Sequence, residues 1–373
     1  MNRWKKVVLG VLGIILFVVA GVCAYGIKIY SDANATVDGV FESVNRTLTK
    51  RKSAVNIDAQ EPFSVLLMGI DTGDLGRTEQ GRSDTTMVVT INPKEKKSTM
   101  ISLDRDILTS IVGNDTDDKL NHAYAFGGAK MAIDTVENLL DIPIDHYVSI
   151  NMKGLKDLID AVGGIEVDNQ LGEFTLDGIT VPAGKIKLDG NTGLAYARMR
   201  KEDPEGDVGR QRRQREVVEK IVKKVVSLDG ITKYRKILDA VKENVKTDLT
   251  WDDMIDIQSK YLSSFQKIES EQLQGSNASI AEIYYQILDP ESLFKVQTKL
   301  RKQLGLTENS SERDKDLAFY NKYSYSITDG TAKQYGTSNY SDAAANSYTD
   351  PNAAYTDPNG TGEGQYTEQA GAY

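Results

Sequence analysis

One long apolar run opens the chain. Residues 7–27 contain no charged side chain and are rich in Val, Leu, Ile and Gly, and a helix of that length can cross a hydrocarbon core about 30 Å thick. Basic residues precede the run and carboxylates soon follow it, so the positive-inside rule places residues 1–6 in the cytoplasm and the chain after the run outside. The pattern predicts a transmembrane anchor at residues 7–27. The alternative is a cleaved signal peptide, because Val22-Cys23-Ala24 resembles a cleavage site.

A compact domain is predicted for residues 62–310. Runs of aliphatic and β-branched residues at 63–70, 85–91 and 99–103 predict buried strands. Apolar positions at helical spacing predict amphipathic helices further along the chain, including a long helix at about 209–227. Strands that alternate with amphipathic helices indicate an α/β layered fold.

The segments that flank this domain are polar. Residues 28–61 carry Val37, Val40 and Val44 at helical spacing, which predicts a helical stalk that leaves the membrane. Residues 329–373 are dominated by Tyr, Asn, Gly, Ser, Thr and Asp. Such a segment buries too little apolar surface to offset its ordering entropy, so a disordered tail is predicted.

The composition of the chain limits the classes of ligand and metal that it is expected to bind. The formal net charge is −9, which argues against a nucleic-acid-binding protein. The single cysteine, Cys23, lies in the apolar run, so no intramolecular disulfide can form, and only two histidines are present. Without thiols outside the membrane a zinc site is disfavoured. Any metal is therefore expected to be a hard cation with oxygen ligands.

Two aspartates lie at the ends of predicted strands. Asp71 comes directly after the first strand, and Asp84 directly before the second. Carboxylates at neighbouring strand ends can converge on the sheet edge where open α/β sheets bind ligands. Such a pair suits Mg²⁺, which uses few protein ligands plus phosphate oxygens. Spacing alone favours the plainer interpretation, two aspartates in turns.

Cations follow the same predicted strand ends. Arg105 comes directly after the third strand and Lys119 follows a polar loop; each alone is typical of a solvated charge. The strongest local signal is the pair Arg198 and Arg200, which share one face if the segment is extended. Two such arginines need an anionic ligand or nearby carboxylates. The carboxylates within residues 203–207 leave an internal salt-bridge network open as the alternative.

The next segment predicts a helix with charge on one face. Arg210, Arg213 and Gln214 are spaced i, i+3 and i+4, near a helix N-terminus that favours anions. Asp207 is predicted to be the N-cap, whereas Arg212 and its neighbour at position 215 are expected to face solvent. Guanidinium groups are preferred partners of phosphate. With the two aspartates, these cations indicate a site for Mg²⁺ and pyrophosphate.

Eight short blocks in a fixed order resemble the LytR-CpsA-Psr family of Gram-positive wall enzymes. They cover about residues 62 to 230. The blocks are Leu67-Met-Gly-Ile-Asp71, Gly81-Arg-Ser-Asp-Thr85, Ser102-Leu-Asp-Arg-Asp106, Lys119-Leu-Asn121, Asp160-Ala-Val-Gly-Gly-Ile165, Leu188-Asp-Gly190, Tyr196-Ala-Arg-Met-Arg200 and Asp207-Val-Gly-Arg-Gln-Arg-Arg-Gln214.

The resemblance implies a three-layer α-β-α sandwich around a central mixed sheet, with an apolar pocket for a polyprenyl chain. It also implies a Mg²⁺-dependent phosphotransferase at the membrane. The reaction would move an anionic glycopolymer, of teichoic acid or capsule type, from undecaprenyl pyrophosphate to the N-acetylmuramic acid 6-hydroxyl of peptidoglycan. On the family pattern Asp71 and Asp84 bind Mg²⁺, and the pyrophosphate is held by Arg105, Arg198, Arg200, Arg213 and Gln214, with Lys119 and Arg210 nearby.

Two positions depart from the family pattern. Gly73 stands where the family often has Arg, and Asp104 stands where it often has Pro. A hydrolase that releases the polymer to water remains an alternative function, as does a membrane-bound regulator of wall-enzyme expression. A regulator acting on DNA would need a cytoplasmic domain, whereas six residues precede the predicted anchor.

Overall fold

A computed structural model of the protein describes residues 39–45, 50–51, 53–72, 81–227, 237 and 239–326. The predicted anchor at residues 7–27 and the predicted tail at residues 329–373 lie outside this part of the chain. Within it, no helix is both long and apolar enough to span a membrane.

A six-stranded mixed sheet forms the centre of the protein. In spatial order its strands are β11 (Val245–Thr247), β6 (His146–Asn151), β1 (Phe63–Ile70), β2 (Ser83–Asn92), β3 (Lys97–Leu103) and β12 (Ile268–Leu273). β1 is antiparallel to β2 and parallel to β6, and β12 is parallel to β3. The predicted α/β fold with a central mixed sheet is confirmed, and the three predicted strands lie within β1, β2 and β3.

Helices and short hairpins surround the sheet. The helices of the described residues are α1 (His122–Leu140), α2 (Met152–Ala161), α3 (Gly190–Arg198), α4 (Asp207–Val226), α5 (Trp251–Lys260), α6 (Pro290–Gln303) and α7 (Ser310–Asn321), with 3-10 turns at Leu262–Phe265 and Ser324–Ser326. The outer strand pairs are β4 (Leu108–Ile111) with β5 (Thr116–Lys119), β7 (Ile165–Asn169) with β10 (Gly184–Leu188), β8 (Phe174–Leu176) with β9 (Ile179–Val181), and β13 (Ser276–Ile280) with β14 (Ile283–Ile287).

Side chains of the central sheet pack into two separate cores. Leu66 and Met68 of β1 pack with α1, α6 and α7 on one face, whereas Val65 and Met87 pack with α5 and the second half of α4 on the other. Neighbouring residues of a strand point to opposite faces, which explains why these strands are almost continuously apolar. The first core continues past residue 310, the predicted end of the domain, because it includes Tyr320.

A third, smaller core lies beside the sheet. It joins α2, α3 and the hairpin of β7 and β10 to the middle of α4, through residues such as Ile159, Ile165 and Val217. This unit fixes the end of α3 and the beginning of α4, where most of the predicted arginines lie.

The described residues of the predicted stalk contact the domain. Of its described residues between 39 and 45, only Gly39 and Val40 are helical. Val40 is buried against Trp251, and Phe41 forms a parallel bridge with Thr247 of β11. The helical stalk stays a prediction, because most of residues 28–49 lie outside the described part of the chain.

Candidate active site

The candidate site begins where β1 ends and β2 begins. Asp71 follows β1, and its carboxylate Oδ1 accepts a hydrogen bond of 2.7 Å from the backbone N–H of Arg82. A Cβ on Gly81 would lie 2.4 Å from the same oxygen, so only glycine allows this close approach. The pairing of β1 with β2 shifts register between Gly69 and Ile70, and Asp84 is the residue passed over. Bulges of this kind re-aim side chains at the ends of strands.

Asp84 connects the sheet edge to two later segments. Its Oδ2 lies 3.1 Å from Nη1 of Arg105, which follows β3. Its Oδ1 accepts a hydrogen bond of 3.2 Å from Nδ2 of Asn121, which precedes α1. Lys119 reaches the same place, since its Nζ lies 3.0 Å from Oδ1 of Asp106.

The environment of Arg105 holds its positive charge firmly. Burial works against the charged form, but the carboxylates of Asp84, Asp106 and Asp207 outweigh it and raise the pKa of Arg105. The side chain of Arg105 is about one quarter exposed, with 26% of its surface accessible. Arg105 is therefore a permanent, partly open cation at the edge of the sheet.

The first turns of α4 bring a second arginine to this cluster. Nη2 of Arg210 lies 2.6 Å from Oδ1 of Asp207. Burial lowers the pKa of Arg210, and the neighbouring charges of Arg105 and Arg200 lower it further, against the opposing effect of Asp207 and Asp84. The mutual repulsion of these guanidinium groups shows that they share one small region.

A buried amide links the helix to the end of β3. Gln211 donates from Nε2 to Oδ2 of Asp104 at 2.8 Å and to Oδ2 of Asp207 at 3.0 Å. Asp104 is 4% exposed, and burial together with the charges of Asp207 and Asp106 raises its pKa to about 6, despite hydrogen bonds from the Asp106 backbone and Gln211.

Several buried polar atoms of this cluster make no hydrogen bond within the part of the chain that the structure describes. They are Oδ1 of Asn121, Nε of Arg210 and Oε1 of Gln211. Nε of Arg105 also makes no hydrogen bond, but it lies 3.4 Å from Oδ2 of Asp106 in an ion pair. Buried polar groups are almost always paired in folded proteins. A group of donors and acceptors left unpaired in one place is typical of a site that a polar ligand completes.

The structure brings together Asp84, Arg105, Lys119 and Arg210, but it places Arg198 elsewhere. Arg198 ends α3, so the segment is not extended as predicted, and its Nη1 pairs with Oδ2 of Asp177 at 2.6 Å. Arg200 is exposed. Burial would raise the pKa of Asp207, but Arg210, the hydrogen bond from Gln211, Arg105 and, least of all, Arg200 together lower it.

Arg213 is not presented to the cluster either. It is 3% exposed, pairs with Asp203, and donates to the backbone carbonyls of Tyr196 and Met199. Burial alone would raise the pKa of Asp203, but the hydrogen bond from Arg213 outweighs it and the pKa is lowered. Gln214, the remaining predicted ligand, is half-buried.

The carboxylates after Arg200 do form an internal salt-bridge network, the alternative left open by the sequence. They pair with arginines of α4 and not with Arg198 or Arg200: Asp203 pairs with Arg213, Glu205 with Arg212, and Asp207 with Arg210. Arg212 is exposed as predicted, whereas the arginine at position 215 is half-buried and bonds a glutamine of β12.

Four further residues belong to the cluster, although the sequence did not assign them to the site: Asp104, Asp106, Asp207 and Gln211. Asp207 is the first residue of α4 and not its N-cap, which is Gly206. Asp104 and Asp106 flank Arg105 at the end of β3, so the reasoning that placed Arg105 at the sheet edge would have placed them there too. Gln211 lies four residues after Asp207, so the i, i+4 spacing was the available signal.

The donor set at the sheet edge fits a hard cation. Asp71 and Asp84 supply carboxylate oxygens beside an unpaired amide oxygen of Asn121, and Mg²⁺ needs few protein ligands when phosphate oxygens complete its shell. Within the described ranges, no three His, Cys, Asp or Glu side chains gather as a ready-made metal site. The assignment of Asp71 and Asp84 as metal ligands therefore stays a prediction.

A comparison with known families decides the assignment of the chain. The model of the LytR_cpsA_psr family matches residues 29–302. The chain belongs to this family. The resemblance of the eight sequence blocks is thereby confirmed.

Relatives within the LytR_cpsA_psr family include a named enzyme. The protein named polyisoprenyl-teichoic acid–peptidoglycan teichoic acid transferase TagU from Enterococcus faecalis is 53% identical over 305 residues, which are 82% of this chain and 99% of that protein. A crystal structure from Enterococcus faecalis, described as a transcriptional regulator, is 79% identical with a TM-score of 0.68 and covers 74% of this chain and 100% of that one. A structure described as TagT bound to LIIa-WTA is 33% identical with a TM-score of 0.59 and covers 70% and 98% of the two chains.

Proposed function

We propose that this chain transfers teichoic acid from a polyprenyl pyrophosphate carrier to peptidoglycan. The observation that carries the proposal is the cluster around Arg105 and Arg210, which combines fixed cations, carboxylates and unpaired buried polar atoms at one sheet edge. Its chemistry suits a diphosphate. The printed name of the TagU relative, a polyisoprenyl-teichoic acid–peptidoglycan teichoic acid transferase, supports the substrate class.

In this proposal the cations bind and orient the diphosphate. Arg210 has an Nε–H without a hydrogen-bond partner and Arg105 is a partly exposed cation. Guanidinium groups bind phosphate oxygens in a defined geometry. Lys119 and Arg200 add charge at the border of the cluster. Such groups stabilise charge that grows on the phosphoryl oxygens in the transition state.

Mg²⁺ is the proposed cofactor, with Asp71 and Asp84 as its protein ligands. When bound, the metal would neutralise charge on the transferred phosphoryl group. The hydrogen bond that Asp71 accepts from the Arg82 backbone fixes this carboxylate. Asp84 is held by Arg105 and Asn121, so both side chains are oriented before any ligand arrives.

The proposed reaction is a phosphoryl substitution. The 6-hydroxyl oxygen of N-acetylmuramic acid forms a bond to the phosphorus that carries the polymer, the bond from that phosphorus to the bridging oxygen breaks, and undecaprenyl phosphate leaves. The hydroxyl proton passes to a carboxylate of the cluster. Asp104 is too deeply buried to touch the acceptor, so its proposed role is to position Gln211 and Asp207.

Arg213 and Arg198 take different roles in the proposal. Arg213 holds the loop between α3 and α4 through the carbonyls of Tyr196 and Met199, so it positions Arg200 and does not itself bind the diphosphate. Arg198 would join the diphosphate only after release from Asp177.

We place the domain outside the cytoplasm, anchored by residues 7–27. The basic residues before this apolar run and the carboxylates after it support this arrangement.

The test is transfer of a lipid-linked teichoic acid precursor to peptidoglycan fragments by the full-length protein in detergent. Arg105→Ala should lower turnover roughly 10- to 150-fold, the usual loss for one charge-assisted contact, and a Lys replacement should rescue it poorly. Arg313, an exposed arginine paired with Glu291 away from the cluster, is the matched control, and its Ala variant should stay within about threefold. Release of polymer into water without attachment would identify a hydrolase instead.

A further inference from the structure

The hairpin of β13 and β14 adjoins the charged cluster. The backbone N–H of Gln286 donates to the carbonyl oxygen of Asp106 at 2.8 Å, and Ile107 forms a parallel bridge with Gln286. Asp106 in turn lies 3.0 Å from the ammonium group of Lys119. The base of this hairpin is therefore continuous with the proposed diphosphate site.

The two faces of the hairpin differ in chemistry. One face, with Ala278, Tyr285 and Ile287, is buried in the core that contains α1 and α6. The other face carries polar or amphipathic side chains at two cross-strand pairs, Asn277 with Gln286 and Ser279 with Tyr284. Side chains of alternate residues share a face, so this polar face is a property of the strand register.

Tyr284 is the outstanding member of the polar face. It is 44% exposed, yet its hydroxyl donates to Oδ1 of Asn277 at 2.9 Å and accepts a hydrogen bond from Nε2 of Gln286. Nε2 of Gln286 also donates to Asn277 at 2.8 Å, and Oε1 of Gln286, a residue 3% exposed, makes no hydrogen bond in the described part of the chain. An exposed ring is thus held still by two amides.

The position of Tyr284 relative to the cluster follows from electrostatics as well as from connectivity. Burial raises the pKa of Tyr284, the hydrogen bond from Gln286 lowers it, and the carboxylates of Asp104, Asp106 and Asp207 raise it further. This influence agrees with the hydrogen bond that joins Gln286, two residues after Tyr284, to the backbone of Asp106. The ring therefore stands at the border of the cluster.

An exposed aromatic ring beside side-chain amides is suited to binding a sugar. The C–H face of a pyranose ring is apolar and packs on an aromatic face, while its hydroxyl groups need donors and acceptors such as side-chain amides. Ligand sites typically pair an apolar or aromatic wall with a few placed polar groups.

We propose that the polar face of this hairpin binds the pyranose ring attached directly to the diphosphate of the lipid-linked donor. The inference rests on the proposed function, since it takes the cluster to hold the diphosphate. The anomeric oxygen of that sugar is bonded to phosphorus, so the ring must lie beside the residues that hold the diphosphate. The hairpin borders those residues through Asp106 and offers the stacking surface.

The experiment compares two soluble ligands of equal charge that differ in the group on the terminal phosphate: the methyl ester of farnesyl diphosphate (hereafter farnesyl diphosphate) and N-acetylglucosaminyl farnesyl diphosphate. Dissociation constants are measured with the full-length protein in detergent and Mg²⁺. The wild type should bind the sugar-bearing ligand roughly two- to tenfold more tightly, the range expected for one aromatic contact. Tyr284→Ala should abolish this gain and leave farnesyl diphosphate binding unchanged within twofold, whereas Tyr284→Phe should keep most of it.

Ile283→Ala is the matched control, because Ile283 is exposed on the same hairpin but does not belong to the polar face. Retention of the sugar-dependent gain by Tyr284→Ala would overturn the inference, as would a Tyr284→Ala variant whose only defect is a raised KM for peptidoglycan fragments. Failure of the proposed function looks different: farnesyl diphosphate would then bind the wild type and Arg105→Ala equally, and this inference would fall with it.

Discussion

The two ends of β1 carry charged clusters of opposite character. At the amino end, the carboxylate of Asp145 lies 2.6 Å from Nε and 2.9 Å from Nη2 of Arg51, and it accepts a third hydrogen bond from the backbone N–H of Ser64 at 2.9 Å. The neighbouring Asp141 pairs with Lys50 and with an arginine of α6. Both carboxylates are almost fully buried, with 3% of each side chain exposed.

At the carboxyl end of β1, the cluster around Arg105 leaves polar atoms unpaired, packs two arginines near each other and raises the pKa of Asp104 to about 6. Both clusters hold residues of the predicted site or stalk, and both are built from arginine and aspartate. The difference lies in completeness. A cluster whose polar groups are all hydrogen-bonded to one another stabilises the fold. A cluster that leaves polar groups without hydrogen bonds can form them with a ligand, and this favours ligand binding.

The largest expected effect is on stability at the amino-end cluster. Asp145→Ala should lower the free energy of unfolding by about 3–5 kcal/mol, because it leaves Arg51 buried without its partner, while transfer activity below the unfolding transition should persist. Denaturant unfolding followed by circular dichroism measures the loss. Asp134→Ala, which removes a more exposed pair with Lys130, should cost less than about 1 kcal/mol. Equal losses in the two variants would remove the distinction between the clusters.

A comparison of Arg213 with Arg212 sharpens the boundary of the site. Arg213→Ala should destabilise the protein by about 3–5 kcal/mol, because Asp203 would be left buried and unpaired. Arg212→Ala removes a cation whose side chain is 57% exposed and should change stability by less than about 1 kcal/mol. Unfolding curves of both variants provide the measurement. If the Arg213→Ala protein is fully stable but binds the diphosphate more weakly, Arg213 binds the diphosphate directly and does not act by holding the fold.

The smallest expected effect concerns pH. The pKa of Asp104 is raised from its ordinary value of 3.8 to about 6, so the unfolded chain loses this proton first as pH rises. The stabilising contribution of the protonated form is full below about pH 4 and is lost as pH rises through 6, a difference of up to about 3 kcal/mol. The free energy of unfolding of Asp104→Asn should therefore increase relative to that of the wild type between pH 4 and pH 8. Parallel pH profiles for the two proteins would contradict the raised pKa.

Much of the fold was predictable from local patterns. The apolar runs of β1, β2 and β3 identify strands because both of their faces are buried, and the spacing within α4 identifies a helix because only one stripe of it meets the cores. The contacts of the residues before the domain could not be predicted in this way. The partners of Val40 and Phe41, which are Trp251 and Thr247, lie some 200 residues away in sequence.

The candidate site divides in the same manner. The sequence alone determined that Asp71, Asp84 and Arg105 lie at strand ends, because strand boundaries follow from hydrophobicity, and that an acidic chain with one cysteine needs oxygen ligands for any metal. Only the tertiary structure decided which arginines meet there. Helical spacing places Arg210 and Arg213 near one face, but packing against α3 buries Arg213 on Asp203 while Arg210 turns to Asp207. The spacing of residues along a helix fixes the direction in which each side chain points relative to that helix. Only long-range packing determines which neighbouring residue lies in that direction.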